Sequence, residues 1–444
     1  MNKNYIKLAI LLFVCGLSYF AIISDVSAAT LEVGAGRTYS TIQAAVNTAS
    51  CGDTISIYPG TYTENVDIDN RQCSSSSKIT ISSGGTGAVI VSPLSQSSQT
   101  FWFHGTTDWW TIDGGNQMTI NGGSSIGNSG AFRIANTSGG AVDGVEVKNI
   151  IFNGNNADYG IITLSGYDRI LIEGNTFQGS YYRGVEGQGI QLTSGASAYR
   201  LTVFKNTFIN PNYAGVEGSE QSYWLVEKNY IYRDTPGGRY LIQHRGGSNW
   251  TIRNNIFEVR AGGDLFATVF LRGNTTSGGS PIQNEIYMNN TFANTGGAIS
   301  NSYGVVFLGW DPVQNSLFQN NLFLGNWNTA SGIFQYGSGG TGANNTAINN
   351  IKTASDVNSP WGNPNGWTFT NNTVSAVNYQ ASGNKPSPYF KITASYNGSD
   401  SNNPPTDDFD GNLRATIPDI GAFEYISGAP DTTPPSAPTG LAVN

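Results

Sequence analysis

The most regular feature of the chain is an asparagine followed by a small or apolar residue and then Phe, Ile or Val. It starts at Asn149 (Asn-Ile-Ile-Phe) and recurs at Asn175, Asn206, Asn229, Asn255, Asn290, Asn321, Asn350 and Asn372, at intervals of 26, 31, 23, 26, 35, 31, 29 and 22 residues. Each unit carries two short β-rich runs. One precedes the Asn, as in Arg169 to Glu173, Leu201 to Phe204, Trp224 to Glu227 and Trp250 to Ile252. The other lies further upstream, as in Gly160 to Leu164, Gly189 to Leu192, Tyr240 to Gln243 and Val305 to Leu308. The turns between them are Gly, Asn and Ser.

A unit of this size with two or three strands and no helix cannot bury its apolar side alone, so it stacks on its neighbours. At about 4.8 Å per coil, equivalent residues lie directly above one another. The repeated Asn then predicts a ladder of side-chain amides at a turn, with the following Phe or Ile filling the interior. The pattern therefore predicts an all-β solenoid, a single-stranded parallel β-helix. A β-sandwich with Asn-rich turns fits less well, because the insertions vary in length after a fixed marker.

The N-terminal part predicts a cap at about 35–50. Ser40-Thr41-Ile42-Gln43 reads as a capping box with Ser40 at the N-cap, and Ile42, Ala45, Val46 and Ala49 recur with helical spacing. Gly52 stops that helix. It would cover apolar interior and strand edges at the open end of the stack. Cys51 and Cys73 stand 22 residues apart, one minimal coil. If they stack, a disulfide staples the cap to the first rung for about 3 kcal/mol; two buried thiols are the alternative.

Composition and charge narrow the picture further. Residues 1–28 read as a secretory signal peptide: Lys3 and Lys7, an apolar run from Leu8 to Ile23, and small residues up to a cleavage site after Ala28. The expectation is a secreted, monomeric protein with no membrane span, at the cell surface or outside the cell. The formal charge is -8; removing Lys3, Lys7 and Asp25 gives -8 - 2 + 1 = -9. A chain this acidic does not bind nucleic acid through its overall field. The domain reading is a β-helix over 29–425 with a closing segment at about 375–425. A Pro/Thr-rich linker follows over 426–444.

Tyr39-Ser-Thr-Ile-Gln-Ala-Ala-Val46 through Gly60-Thr-Tyr-Thr-Glu64 resembles the entrance of pectin-lyase-like right-handed parallel β-helix proteins. Asp408 to Arg414 and Pro418 to Tyr425 are similar to the closing segment of secreted β-helix repeat proteins, and Asp431 to Val443 resembles the lead-in to a fibronectin type III module that is absent or truncated. The resemblance covers roughly residues 30–425. It implies a carbohydrate-active protein, but the catalytic segments of pectinesterases and polygalacturonases are not present. The Gly60 to Glu64 piece is read as structural, with Gly60 as turn and Tyr62 as packing.

Six of the 13 arginines fall in one stretch of 40 residues: Arg233, Arg239, Arg245, Arg253, Arg260 and Arg272. This predicts a basic island suited to carboxylates or sulfates. Counting back from the repeated Asn places Gln243 level with Glu217, and Arg245 level with Ser219. Glu217, His244, Arg245 and Arg272 are the candidate catalytic residues, and Arg239, Gln243, Tyr240 and Trp224 the candidate substrate-binding ones. Their chemistry fits β-elimination on a uronate polymer, with Arg245 or Arg272 neutralising the carboxylate and His244 taking the C5 proton. This is similar to β-helical alginate and chondroitin lyases, which often use Ca²⁺, so Ca²⁺ is the cofactor the resemblance admits. Asp408, Asp410 and Asn412 have the alternate spacing of a Ca²⁺ loop, although pairing with Arg414 fits better. A hydrolase would instead use Glu186 and Glu217, in twin Gly-Val-Glu-Gly segments. The expected partner is an acidic extracellular polysaccharide. The rival class is a non-catalytic surface or matrix protein, an adhesin or spacer.

Overall fold

The computed structural model describes residues 28–426, apart from 125–128, 136–140, 165, 180, 188–198, 261–262, 265–266, 274–279, 298, 301–304, 310, 326, 328–331, 338–339, 354–360, 363, 380–389 and 399–404. Of the expected signal peptide over 1–28 and linker over 426–444, residues 1–27 and 427–444 lie outside the described residues.

Strands from successive coils stack in parallel, so the chain is a parallel β-helix. One coil shows the plan. Ile170–Glu173 and Thr176–Gln178 belong to the first sheet, and Arg183–Gly187 to the second. The next coil repeats it with Leu201–Phe204, Thr207–Ile209 and Ala214–Ser222, each parallel to its counterpart. The second sheet has one long path: Val66–Asp69, Gln99–His104, Gly130–Ile134, Tyr159–Thr163, Arg183–Gly187, Ala214–Ser222, Ile242–Ser248, Val269–Arg272, Val306–Phe307 and Phe334–Gln335.

The bend in the first sheet is where the asparagines sit. From Asn175 through Asn206, Asn229, Asn255, Asn290, Asn321 and Asn350 to Asn372, each Nδ2 donates to the Oδ1 of the next at 2.8–3.0 Å. The same Oδ1 accepts the backbone N–H of the Asn one coil earlier, as Asn255 does from Asn229 at 2.9 Å. The second Nδ2 proton goes to a main-chain carbonyl, Val203 for Asn229 at 2.7 Å. Every polar atom of a fully buried amide is thereby used. Asn149 is not in the ladder. Its place is taken by Ile150, whose N–H donates to Asn175 Oδ1 at 3.0 Å. Asn149 instead has φ 52°, and the residue before every ladder Asn is likewise left-handed: Gly174 at 65°, Lys205 and Lys228 at 55° and 56°, and Asn254, Asn289, Asn320, Asn349 and Asn371 at 53–55°. Asparagine tolerates that left-handed conformation, which explains the Asn-Asn doublets.

Two residues after the ladder position, side chains stack inside the helix. Phe152, Phe177 and Phe208 lie face to face at 4.7 and 4.6 Å, and Phe257, Phe292 and Phe323 at 5.0 and 4.9 Å. Stacked rings of this kind add to burial itself.

Near the N-terminus, the helix Ile42–Thr48 follows the strand Thr30–Val33 and buries Ile42, Ala45 and Val46. Its N-cap is Thr41, whose side chain accepts from Ala44 N, and not Ser40 as the capping box implied. Gln43 does not close that box either. The Glu64 carboxylate accepts the N–H groups of Ile42 and Gln43 at 2.9 Å, so the Gly60 to Glu64 segment has a structural task. Cys51 and Cys73 form a disulfide with Cα atoms 5.4 Å apart.

The described part of the closing segment does not continue the stack. Phe390, Ile392, Ile420, Ala422 and Phe423 pack on Tyr230, Tyr232, Ile256, Leu322 and Ile351, on the outside of the first sheet. Lys228 pairs with Asp407 at 2.7 Å, and Arg414 donates to Asn254 Oδ1 at 2.8 Å. Arg414 takes Glu424 as its ion-pair partner at 3.1 Å. The Asp408 oxygens accept from Asp410 N, Asn412 N, Asn412 Nδ2 and Glu424 N at 2.7–3.0 Å. That carboxylate is therefore a turn acceptor, and the segment does not fit Ca²⁺.

Asn255→Ala should cost about 1–3 kcal/mol, because it leaves Asn229 N–H and Asn290 without their ladder partner; urea unfolding beside an exposed Thr61→Ala control checks this. Cys73→Ser should cost about 3 kcal/mol by releasing a loop of 22 residues. Thermal unfolding with and without reductant measures it, the reductant lowering the midpoint of the parent protein alone.

Candidate functional site

Strand pairing on the second sheet aligns one outward row across its rungs. Asp67, Trp102, Arg133, Ile162, Glu186, Glu217, Gln243 and Phe270 are successive register partners. Inward rows flank it. Val185, Val216, Ile242 and Val269 lie in the core on one side. Gly187, Gly218, His244 and Leu271 lie in register on the other. The next outward row holds Ser219, Arg245 and Arg272. Alternation along a strand makes this unavoidable once Val216 and Ile242 point inward.

The twin Gly-Val-Glu-Gly segments follow from packing. A Cβ at Gly184 or Gly215 would meet Phe208 or Ile231, and one at Gly187 or Gly218 would come within 2.3 Å of Trp224 or Trp250. Glycine leaves room for core rings at both ends, valine fills the core, and glutamate is the residue left facing out.

Around Glu186 and Glu217 the face is built as an ionic cluster. The Arg183 guanidinium donates to Glu217 Oε2, lies 3.5 Å from Glu186 Oε1 and pairs with Asp158 at 2.9 Å. It also rests on the rings of Tyr182 and Tyr213, 4.7 and 4.9 Å from their centroids. Burial works against the Arg183 cation, but Glu217, Glu186 and Asp158 outweigh it and raise its pKa. The two glutamates are almost enclosed, 1% and 2% exposed. Gln243 sits one rung on, with no partner for its Oε1.

The predicted residues divide between this face and the interior. Glu217, Gln243, Arg245 and Arg272 are on the outer face, in the register expected from the Asn count. Arg239 is exposed, its guanidinium 5.3 Å from the Tyr213 ring centroid. Arg245 is half-buried, and Arg272 lies 3.5 Å from Asp311. His244 is inside. It is fully buried, stacked on Trp250 at 4.0 Å, with Nε2–H donating to the Gln221 carbonyl at 2.9 Å and Nδ1 3.2 Å from Glu285. It cannot reach a polymer outside, so its assignment as catalytic base is withdrawn. Trp224 is likewise fully buried, stacked on Trp250 at 4.5 Å, and offers no face to a sugar. Tyr240 is 4% exposed and stacked on Phe270 at 4.7 Å, which removes it as a stacking platform.

The basic island is split. Arg239, Arg245 and Arg272 share the second-sheet face. Arg253 pairs with Glu227 at 3.0 Å on the first sheet, and Arg260 pairs with Glu258 at 2.8 Å. Arg233 is buried at a corner, where burial lowers its pKa to about 10. Five face residues escaped the sequence reading of the site: Asp67, Trp102, Arg133, Asp158 and Arg183. All of them precede the second ladder Asn, where there are too few markers to count from. Among the described residues, no group of three or more His, Cys, Asp or Glu is placed to hold a metal ion, and no helix is long and apolar enough to cross a membrane.

Residues 172–352 match the family model described as right handed beta helix region. No curated protein sequence matches the chain. Among solved structures, the lacto-N-biosidase of family GH136 from Eubacterium ramulus is similar at a TM-score of 0.50 and 11% identity, over 78% of this chain and 68% of that one. Pectate lyase Pel9A is similar at 0.47 and 12%, over 90% and 98%. PfbA, a surface adhesin of Streptococcus pneumoniae, is similar at 0.45 and 12%, over 75% and 85%. Identities this low speak to the fold alone, which with the family model is a right-handed β-helix.

The interior position of His244 makes a distinguishing prediction. His244→Ala should cost about 2–5 kcal/mol, because it removes a fully buried ring stacked on Trp250 and takes away the side chain beside the enclosed Glu285. Replacing His244 and Glu285 together by Leu should recover most of that loss. Denaturant unfolding of the three proteins checks it; unchanged stability in His244→Ala with lost action on a glycan would restore the catalytic assignment.

Proposed function

We propose that the protein is exported and binds an extended extracellular polysaccharide along the outer face of the second sheet, acting on it at the Glu186–Glu217 pair. The observation that carries this reading is the outward row running rung to rung from Asp67 to Gln243, whose side chains are polar or aromatic at every rung but that of Ile162. A polymer lying along the solenoid axis meets such a row at about 4.8 Å per step. The Cys51–Cys73 disulfide supports an oxidising compartment.

Of the two chemistries, acid–base cleavage of a glycosidic bond fits the face better than elimination. Glu186 and Glu217 are register neighbours that share Arg183, and retaining glycosidases hold their two carboxyl groups about 5–5.5 Å apart. Elimination keeps Arg245 and Arg272 as carboxylate-neutralising groups, but it has lost its proposed base with His244. Arg239 and Arg245 favour an acidic polymer beside the Gln243 rung. A second reading, a non-catalytic adhesin or spacer, is favoured by the near-complete burial of both glutamates.

A panel of alginate, pectate, chondroitin and neutral glycans separates these readings. The expected result is new reducing ends without an ultraviolet-absorbing unsaturated product, falling about 10²-fold or more in Glu217→Gln while binding is retained. Unsaturated product that survives Glu217→Gln would establish elimination instead. Binding with no turnover would establish the adhesin reading, and no binding to any glycan would contradict the proposal as a whole.

A further inference from the structure

On the outer row of the second sheet, two N–H donors on adjacent rungs have no acceptor among the described residues. Trp102 and Arg133 are register partners, and the Arg133 guanidinium carbon lies 5.5 Å from the Trp102 ring centroid. Trp102 Nε1 and Arg133 Nε are both closed off from solvent and neither is hydrogen-bonded. A buried donor left without an acceptor costs about 1–3 kcal/mol, and more when it is charged. Two of them side by side mark a place where an acceptor from outside the chain belongs.

The neighbouring acids are already engaged. Asp67, one rung before Trp102, pairs with His104 Nε2, and Asp69 lies 3.3 Å from His104 Nδ1. Asp158 is held by Arg183 at 2.9 Å. Tyr159 provides no anion at neutral pH, since burial raises its pKa to about 12 with Arg133 working against it. A planar guanidinium beside an indole N–H suits an oxygen-bearing anion from outside the chain.

We propose that Trp102 Nε1–H and Arg133 form a subsite for an oxyanion carried on a sugar, a carboxylate or a sulfate. The subsite lies on the same row as Glu186, two rungs beyond Arg133, and Glu217, three rungs beyond. At about 4.8 Å per rung, it stands roughly 10–14 Å before the glutamate pair. Its use in recognising a polymer rests on the proposed function; the oxyanion site itself does not.

The test follows the indole N–H resonance of Trp102 in protein labelled with ¹⁵N-tryptophan, identified by its loss in Trp102→Phe. Glucuronate, inorganic sulfate and glucose are titrated separately. The expected result is a saturable shift with glucuronate, sulfate or both, none with glucose, and a weakening of at least about tenfold in Arg133→Met. Which anion acts identifies the group. If Arg133→Met does not fold, Arg133→Lys, which keeps charge but not the Nε–H, should weaken the same shift. No shift with either anion, an equal shift with glucose, or full affinity in a folded Arg133 variant would overturn the proposal. An anion-dependent shift in a protein that binds no polysaccharide would uphold the subsite and remove the proposed function.

Discussion

The amide ladder from Asn175 to Asn372 is the constraint on which the rest of the molecule depends. Each Asn side chain satisfies the backbone of the coil before it and is satisfied by the coil after it. A coil displaced by one residue would bury an amide with no partner, at a cost no neighbouring contact offsets. The ladder thus locks register at one corner, and register then decides the other rows of the coils it spans, including the stacked phenylalanines inside and the outward row from Glu186 to Gln243.

Much of this was legible in the chain. The period, the solenoid, the disulfide and the levels of Gln243 with Glu217 and of Arg245 with Ser219 follow from counting against the repeated Asn. Counting sets level and not side. Whether His244 faces in or out depends on alternation from Ile242, and the apolar character of Ile242 was enough to place His244 inward with it. The sequence reading gave priority to the chemistry of a histidine beside an arginine, and that chemistry is satisfied internally by Glu285 and Gln221.

The indole rings show a second limit. Trp224 reads in the sequence as a ring available to stack on a sugar, yet it lies in the core. The space comes from Gly187 and Gly218, which stand 37 and 32 residues before Trp224 and Trp250 and so outside their local pattern. The arginine cluster failed for a related reason: neighbours in sequence alternate between faces and between sheets, so six arginines in one stretch reach the outer second sheet only as Arg239, Arg245 and Arg272. Trp102 and Arg133, far upstream, share that face with them.

On the proposed function, one continuous outward row of the second sheet meets a polymer lying along the solenoid axis. A crystal structure of Glu217→Gln with an oligosaccharide cut from whichever polymer binds tests this most directly. The account predicts a sugar chain crossing the rungs of the second sheet, over Trp102, Arg133 and Glu186 to Gln243. A chain bound on the outside of the first sheet, or across the turns, would contradict it.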